Sequence, residues 1–204
     1  HAGDGPVGGD DAAVRIVRRG GLDGFERRNR EHAALRDVLE PRPEREAQVI
    51  DGLKAENRGP LPNQSVAPIW REIMSASRSL ETPLRIAYLG PAGTFSELAA
   101  LGYFGASIVH VPCGSIDEVF RATSGGAADF GVVPVENSTE GVVARSLDLF
   151  LNTPLSIVGE TSLYVRHNLM RKVEGMAGIE AVCAHPQALA QCHAWLTQHL
   201  PNVE

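Results

Sequence analysis

From Pro83 onward the chain alternates between two kinds of segment, and this alternation limits the folds open to it. LRIAYLG is a short apolar run that reads as a strand, and GPAGTFSELAALGYF follows as a loop and helix. SIVHVPC is the next strand, and SIDEVFRATSGG is a helix that stops at glycines. Ser115 precedes the acidic pair Asp117 and Glu118, the arrangement of a helix cap with negative charge in the first turn. ADFGVVPVEN is a strand running into a polar loop, GVVARSLDLFLNT is helical, and LSIVGETSLYV begins with a strand. AVCAHPQALAQCHAWLTQHL gives a short strand, a turn and a final helix. Strand and helix in turn predict an α/β domain over residues 83–204 with at least one mostly parallel sheet. Such sheets place ligands beyond the carboxyl ends of their strands.

The chain before Pro83 has a different character. Residues 1–24 are dense in glycine without a sustained period, so they are expected to be a flexible or divergent segment. Residues 25–82 read as broken helices. FERRNREHAALRDVLE carries few apolar side chains, and Pro43 suits the first turn of the helix that follows. NRGPLPNQ is a loop, after which Val66, Ile69, Trp70, Ile73, Met74 and Leu80 recur at helical spacing.

Three polar stretches fall near predicted strand ends. In LGPAGTFSELAA, Thr94 or Ser96 can cap the next helix, or the same hydroxyls and helix N–H groups can hold a carboxylate. In PVENSTEG, Glu136, Asn137, Ser138, Thr139 and Glu140 suit a surface turn. They equally suit a site in which Asn137, Ser138 and Thr139 give neutral hydrogen bonds and Glu136 acts as acid, base or orienter. In HPQALAQC, His185 stands just before a helix that opens with Pro186, and Gln187 follows. That pair fits either a cap or an anion site.

Charge and cysteine usage narrow the partners. A net charge of -6 argues against nucleic acid as the main partner, because phosphate contacts need Lys and Arg. No apolar stretch reaches the roughly 20 residues of a membrane span. Cys113, Cys183 and Cys192 are odd in number and widely spaced, which predicts reduced thiols and a cytoplasmic setting. No CxxC or HExxH pattern occurs, so no metal centre is expected.

Taken in order, YLGPAGTFSELAA, VVPVENSTEGVV and HPQALAQC resemble the prephenate dehydratase family. RPEREAQVIDGLKAENRGPLPNQSVAPIWREIMSASRSLETPLRIAYLG resembles the join between a chorismate mutase and a prephenate dehydratase in bifunctional members of that family. The resemblance implies a two-lobed domain, like a periplasmic binding protein, over residues 83–204, with the site in the cleft. It implies a partial, all-helical chorismate mutase-like region over residues 25–82. Implied substrates are prephenate, converted to phenylpyruvate with loss of water and carbon dioxide, and chorismate at the mutase. No cofactor or metal is implied, and a homodimer is.

Carried over by resemblance, Thr94, Glu136, Asn137 and Ser138 fall to catalysis, and Ser96, Thr139, His185 and Gln187 to substrate binding. Arg45, Glu46, Ser77 and Glu81 fall to the mutase-like remnant. The family's Thr-Arg-Phe motif, whose threonine is regarded as essential, is expected after Glu204, so residues 83–204 are read as an incomplete dehydratase domain. Residues 1–40 depart from the mutase pattern.

Overall fold

A computed structural model describes residues 7–19, 43–137 and 141–203. The predicted helix over FERRNREHAALRDVLE lies outside the described residues, as do Ser138 and Thr139.

The dehydratase-like part is built on one mixed sheet. Its strands are β1 (Val7–Arg19), β2 (Arg85–Leu89), β3 (Val109–Cys113), β4 (Phe130–Asn137), β5 (Gly141–Val142) and β6 (Leu155–His167). Their order is β3-β2-β4-β1-β6, and β5 pairs with the end of β4. β3, β2 and β4 run parallel, as the strand–helix alternation predicts. β1 is antiparallel to both of its neighbours, so the sheet is mixed rather than mostly parallel.

Over residues 7–19, β1 takes the place of the flexible segment expected within residues 1–24. It lies between β4 and β6 and pairs along most of its length with β6. The cause is the short apolar run VRIV. Val14 and Ile16 pack with Ile86, Tyr88, Phe104 and Phe130 on one face, and Val17 packs with Ala87, Val119 and Phe120 on the other. Alternation along a strand divides these side chains between the two faces. Ile16 and Val17 are both fully buried.

The helices are α1 (Pro43–Glu56), α2 (Asn63–Ser79), α3 (Phe95–Phe104), α4 (Ile116–Ser124), α5 (Ala144–Leu151) and α6 (Pro186–His199). α4 begins as expected, with the Ser115 hydroxyl accepting from the Glu118 N–H at 3.2 Å. The helical reading from Gly141 is shortened, because Gly141 and Val142 form β5. The short strand expected within AVCA is also absent, and residues 181–184 have no regular structure.

α1 and α2 form a helical pair held by Arg78, whose Nη1 donates to Glu46 at 2.8 Å. α2 then docks on the end of α3. The Glu72 carboxylate accepts from the Ala106 N–H at 3.1 Å, and Ser75 Oγ accepts from the Ser107 N–H at 3.2 Å. Gly105 allows this approach, since a Cβ there would stand 2.4 Å from Ser75 Cβ. Its φ of 81° and ψ of 177° are essentially reserved for glycine.

Candidate active site

The loop after β2 turns sharply into α3, and its Gly90–Pro91 peptide is cis. Thr94 is the cap of α3. Its hydroxyl donates to the Leu89 carbonyl at 2.9 Å and accepts from the Glu97 N–H at 3.4 Å. Glu97 closes the cap from the other side, as in a capping box. Its carboxylate accepts from the Gly93 N–H and from the Tyr88 hydroxyl, the latter at 2.9 Å, and meets His110 Nδ1 at 3.1 Å. The Gly93 N–H and the Tyr88 hydroxyl hold the Glu97 carboxyl below its usual range. Burial, and then the bond to Glu97, push Tyr88 up to about 12. Ser96 is buried in the first turn of α3.

The second stretch ends β4. Glu136 is exposed and pairs through its backbone with Ala13 and Val142. Asn137 is half-buried, and its Oδ1 accepts from Gln191 Nε2 at 3.1 Å. Gln191 Oε1 in turn lies 2.6 Å from His167 Nε2 at the end of β6. With Gln191 giving an amide hydrogen to Asn137, the Nε2–H tautomer of His167 completes the chain by donating to the Gln191 carbonyl oxygen. Phe95, the first residue of α3, meets the His167 ring edge-to-face with centroids 6.3 Å apart.

The third stretch opens α6. His185 is exposed and caps the helix, with Nδ1 accepting from the Gln187 N–H at 3.3 Å. Gln191 lies one turn beyond Gln187, on the same side of the helix. α6 also walls a cavity of about 460 Å³ together with residues 168–171 and 178–184. Leu169, Met170, Ile179, Leu189 and Trp195 make it largely apolar, and His167 stands at its edge.

The structure therefore gathers Asn137, Gln191, His167 and Phe95 at one end of the sheet, beyond the carboxyl ends of β4 and β6. Thr94 and His185 are engaged as helix caps, and Glu136 faces solvent. Gln191 and His167 were not singled out from the sequence. Gln191 lies inside the HPQALAQC stretch, four residues after Gln187, and that spacing was the available signal. His167 closes β6 with no pattern to mark it.

The mutase-like residues lie on α1, on α2 and in the turn after α2. Arg45 and Glu81 are exposed, Glu46 is held by Arg78, and the Ser77 hydroxyl donates to the Ile73 carbonyl at 2.8 Å. Among the described residues, no group of three or more His, Cys, Asp or Glu could hold a metal ion. No helix among them is long and apolar enough to cross a membrane.

Comparison with known proteins adds to this geometry. Residues 86–204 match the family model described as prephenate dehydratase, and residues 27–82 match chorismate mutase type II. The chain is 51% identical over 164 residues to a bifunctional chorismate mutase/prephenate dehydratase of Stutzerimonas stutzeri, covering 80% of this chain and 45% of that protein. The corresponding protein of Pseudomonas aeruginosa is 49% identical with the same coverage. A prephenate dehydratase of Mycobacterium ulcerans is 41% identical over 131 residues, covering 59% of this chain and 42% of that protein. The chain thus spans about half the length of the curated relatives it matches. No solved structure matches it.

Proposed function

The chain belongs to the prephenate dehydratase family, and we propose that it recognises prephenate and serves its conversion to phenylpyruvate. One observation carries the reading. The Asn137–Gln191–His167 chain, with Phe95 packed on the imidazole, brings parts of all three family-like stretches to one end of the sheet.

The reaction sets clear tasks for such a site. The ring carboxylate leaves as carbon dioxide, and its bonding electrons pass into the ring. The ring hydroxyl leaves as water after taking a proton, and the ring becomes aromatic. A protein assisting this must orient two carboxylates and place a donor near the departing hydroxyl.

Asn137, with Ser138 and Thr139 beside it in sequence, is assigned to donate neutral hydrogen bonds to substrate oxygens. Glu136 is assigned as the acid or orienter for the leaving hydroxyl. Thr94 is committed to Leu89 and Glu97, so its role is to hold the loop. The Glu97 N–H is spent on the cap, and the Phe95 and Ser96 N–H groups of the same first turn are assigned to a carboxylate. His185 and Gln187 open α6, whose N-terminus suits the second carboxylate. The two-lobed cleft and a homodimer belong to the same proposal and rest on the family resemblance, and a cytoplasmic setting rests on the number and spacing of the cysteines. Chorismate rearrangement is proposed for the longer bifunctional protein, supported by the match over residues 27–82.

The test is titration of the purified 204-residue chain with prephenate by calorimetry, with phenylpyruvate formation followed by absorbance on the same sample. Saturable binding that Asn137→Ala weakens is the expected result. An absence of saturable binding would overturn the reading.

A further inference from the structure

We propose that Glu97 is a positioning residue that sets the place of the Phe95 ring at the candidate site. The proposal rests on the reading that prephenate is recognised at the end of the sheet where Phe95 stands.

Phe95 opens α3 and is 42% exposed. It belongs to neither of the two buried clusters, and its ring meets the His167 ring edge-to-face. A ring outside the core takes its place from the backbone of its own turn. What fixes the first turn of α3 therefore fixes Phe95.

Two side chains hold that turn. Thr94 ties it to the strand just before it, through the Leu89 carbonyl. Glu97 does more. A capping-box glutamate needs only to reach back to an N–H at the helix start, and Glu97 does so at Gly93. The same carboxylate also accepts from the Tyr88 hydroxyl on β2 at 2.9 Å and meets His110 Nδ1 on β3 at 3.1 Å. A carboxylate only accepts, so the His110 contact calls for a hydrogen on Nδ1, which the imidazolium and one neutral form both carry. Helix capping has no need of either strand.

Tyr88 is the anchor. Its side chain is fully buried in a cluster with Ile16, Ile86, Phe104 and Phe130. Close packing of this kind leaves a side chain little room to move. The hydroxyl carries that fixed position to Glu97, and Glu97 passes it to the turn that bears Phe95. The exposed ring is thereby referred to the core of the sheet. Asn137 ends β4, which pairs with the same strand β2, so ring and amide share one frame.

The experiment compares Glu97→Leu, Glu97→Gln, Tyr88→Phe, Phe95→Ala and the Glu97→Leu/Phe95→Ala double variant in the full 204-residue chain. Calorimetry reads prephenate affinity, and thermal unfolding reads the fold. Nuclear Overhauser contacts between the Phe95 and His167 rings in the unliganded protein read the ring's place. Glu97→Leu is expected to weaken those contacts and to weaken prephenate about 2- to 10-fold, the scale of one aromatic contact. Tyr88→Phe keeps the buried ring and loses only the hydroxyl, and it is expected to move both readouts the same way by less. Glu97→Gln is expected to restore them, because its oxygen can accept from Gly93 while its amide nitrogen donates to the Tyr88 oxygen. In the Phe95→Ala background, Glu97→Leu is expected to add no further loss, since a positioning role acts through the ring. Equal losses with and without Phe95, or unchanged ring contacts in both Glu97→Leu and Tyr88→Phe, would overturn the proposal. If Glu97→Leu does not fold, Tyr88→Phe with and without Phe95 decides in its place. If the wild-type chain does not bind prephenate, the functional reading fails on its own. The Phe95–His167 contacts then still decide whether Glu97 sets the place of the ring.

Discussion

Replacing Ile16 with alanine separates two accounts of the N-terminal segment. As part of a flexible tail, Ile16 contributes almost nothing to stability. As a residue of β1 it is fully buried among Ile86, Tyr88, Phe104 and Phe130. Truncating a buried isoleucine to alanine costs about 2–5 kcal/mol, from lost transfer free energy and the cavity left behind. The position argues against the low end. Ile16 lies in an inner strand with β4 on one side and β6 on the other, so neighbours cannot readily collapse into the gap. For a chain of this size each kcal/mol moves the melting temperature by roughly 2–4 °C, so a drop of roughly 6–20 °C is expected. The assay is thermal and urea unfolding followed by circular dichroism, with Leu151→Ala as control. Leu151 is 82% exposed, and its truncation is expected to stay within about 0.5 kcal/mol. A loss below about 0.5 kcal/mol for Ile16→Ala would refute the placement of β1 in the core.

Gly105→Ala is expected to cost more than about 1 kcal/mol, because alanine resists a φ of 81° and its Cβ would overlap Ser75. Hydrogen exchange at Ala106 and Ser107 should accelerate as α2 lifts away, and unchanged exchange would contradict the docking described. The Glu97 cluster makes stability depend on pH at both extremes. Glu97 is held below its usual value of 4.5, so its contribution is present above that value and is lost as pH falls through the lower folded value. Tyr88 is raised from 10.0 to about 12, so its contribution is present below pH 10.0 and is lost as pH rises toward 12. Unfolding midpoints measured against pH should therefore fall less steeply in acid for Glu97→Gln, and less steeply above pH 10.0 for Tyr88→Phe. Parallel curves for wild type and variants would count against the cluster.

Much of the sheet was legible because its signals are local. The apolar runs of β2, β3 and β4, and the caps at Thr94 and Ser115, depend on residues within a few positions of one another. β1 was not legible for the opposite reason. Its glycine and acidic residues lack strand alternation, and only its placement between β4 and β6 gives VRIV two faces to bury. The expected strand in AVCA shows the same dependence in reverse, since a short apolar run does not become a strand without a partner to pair with. For the candidate site, the sequence marked the three stretches but not the residues that join them. Asn137 was singled out by its polar neighbours. Gln191 and His167 acquire meaning only from a hydrogen-bonded chain between residues 24 and 54 positions apart.

The most direct measurement is the location of prephenate bound to this chain, from intermolecular nuclear Overhauser contacts. The account predicts contacts from the ligand to the Phe95 ring and to the side-chain amide of Asn137. Contacts confined to Met170, Trp195 and Leu196, in the cavity behind α6, would contradict it.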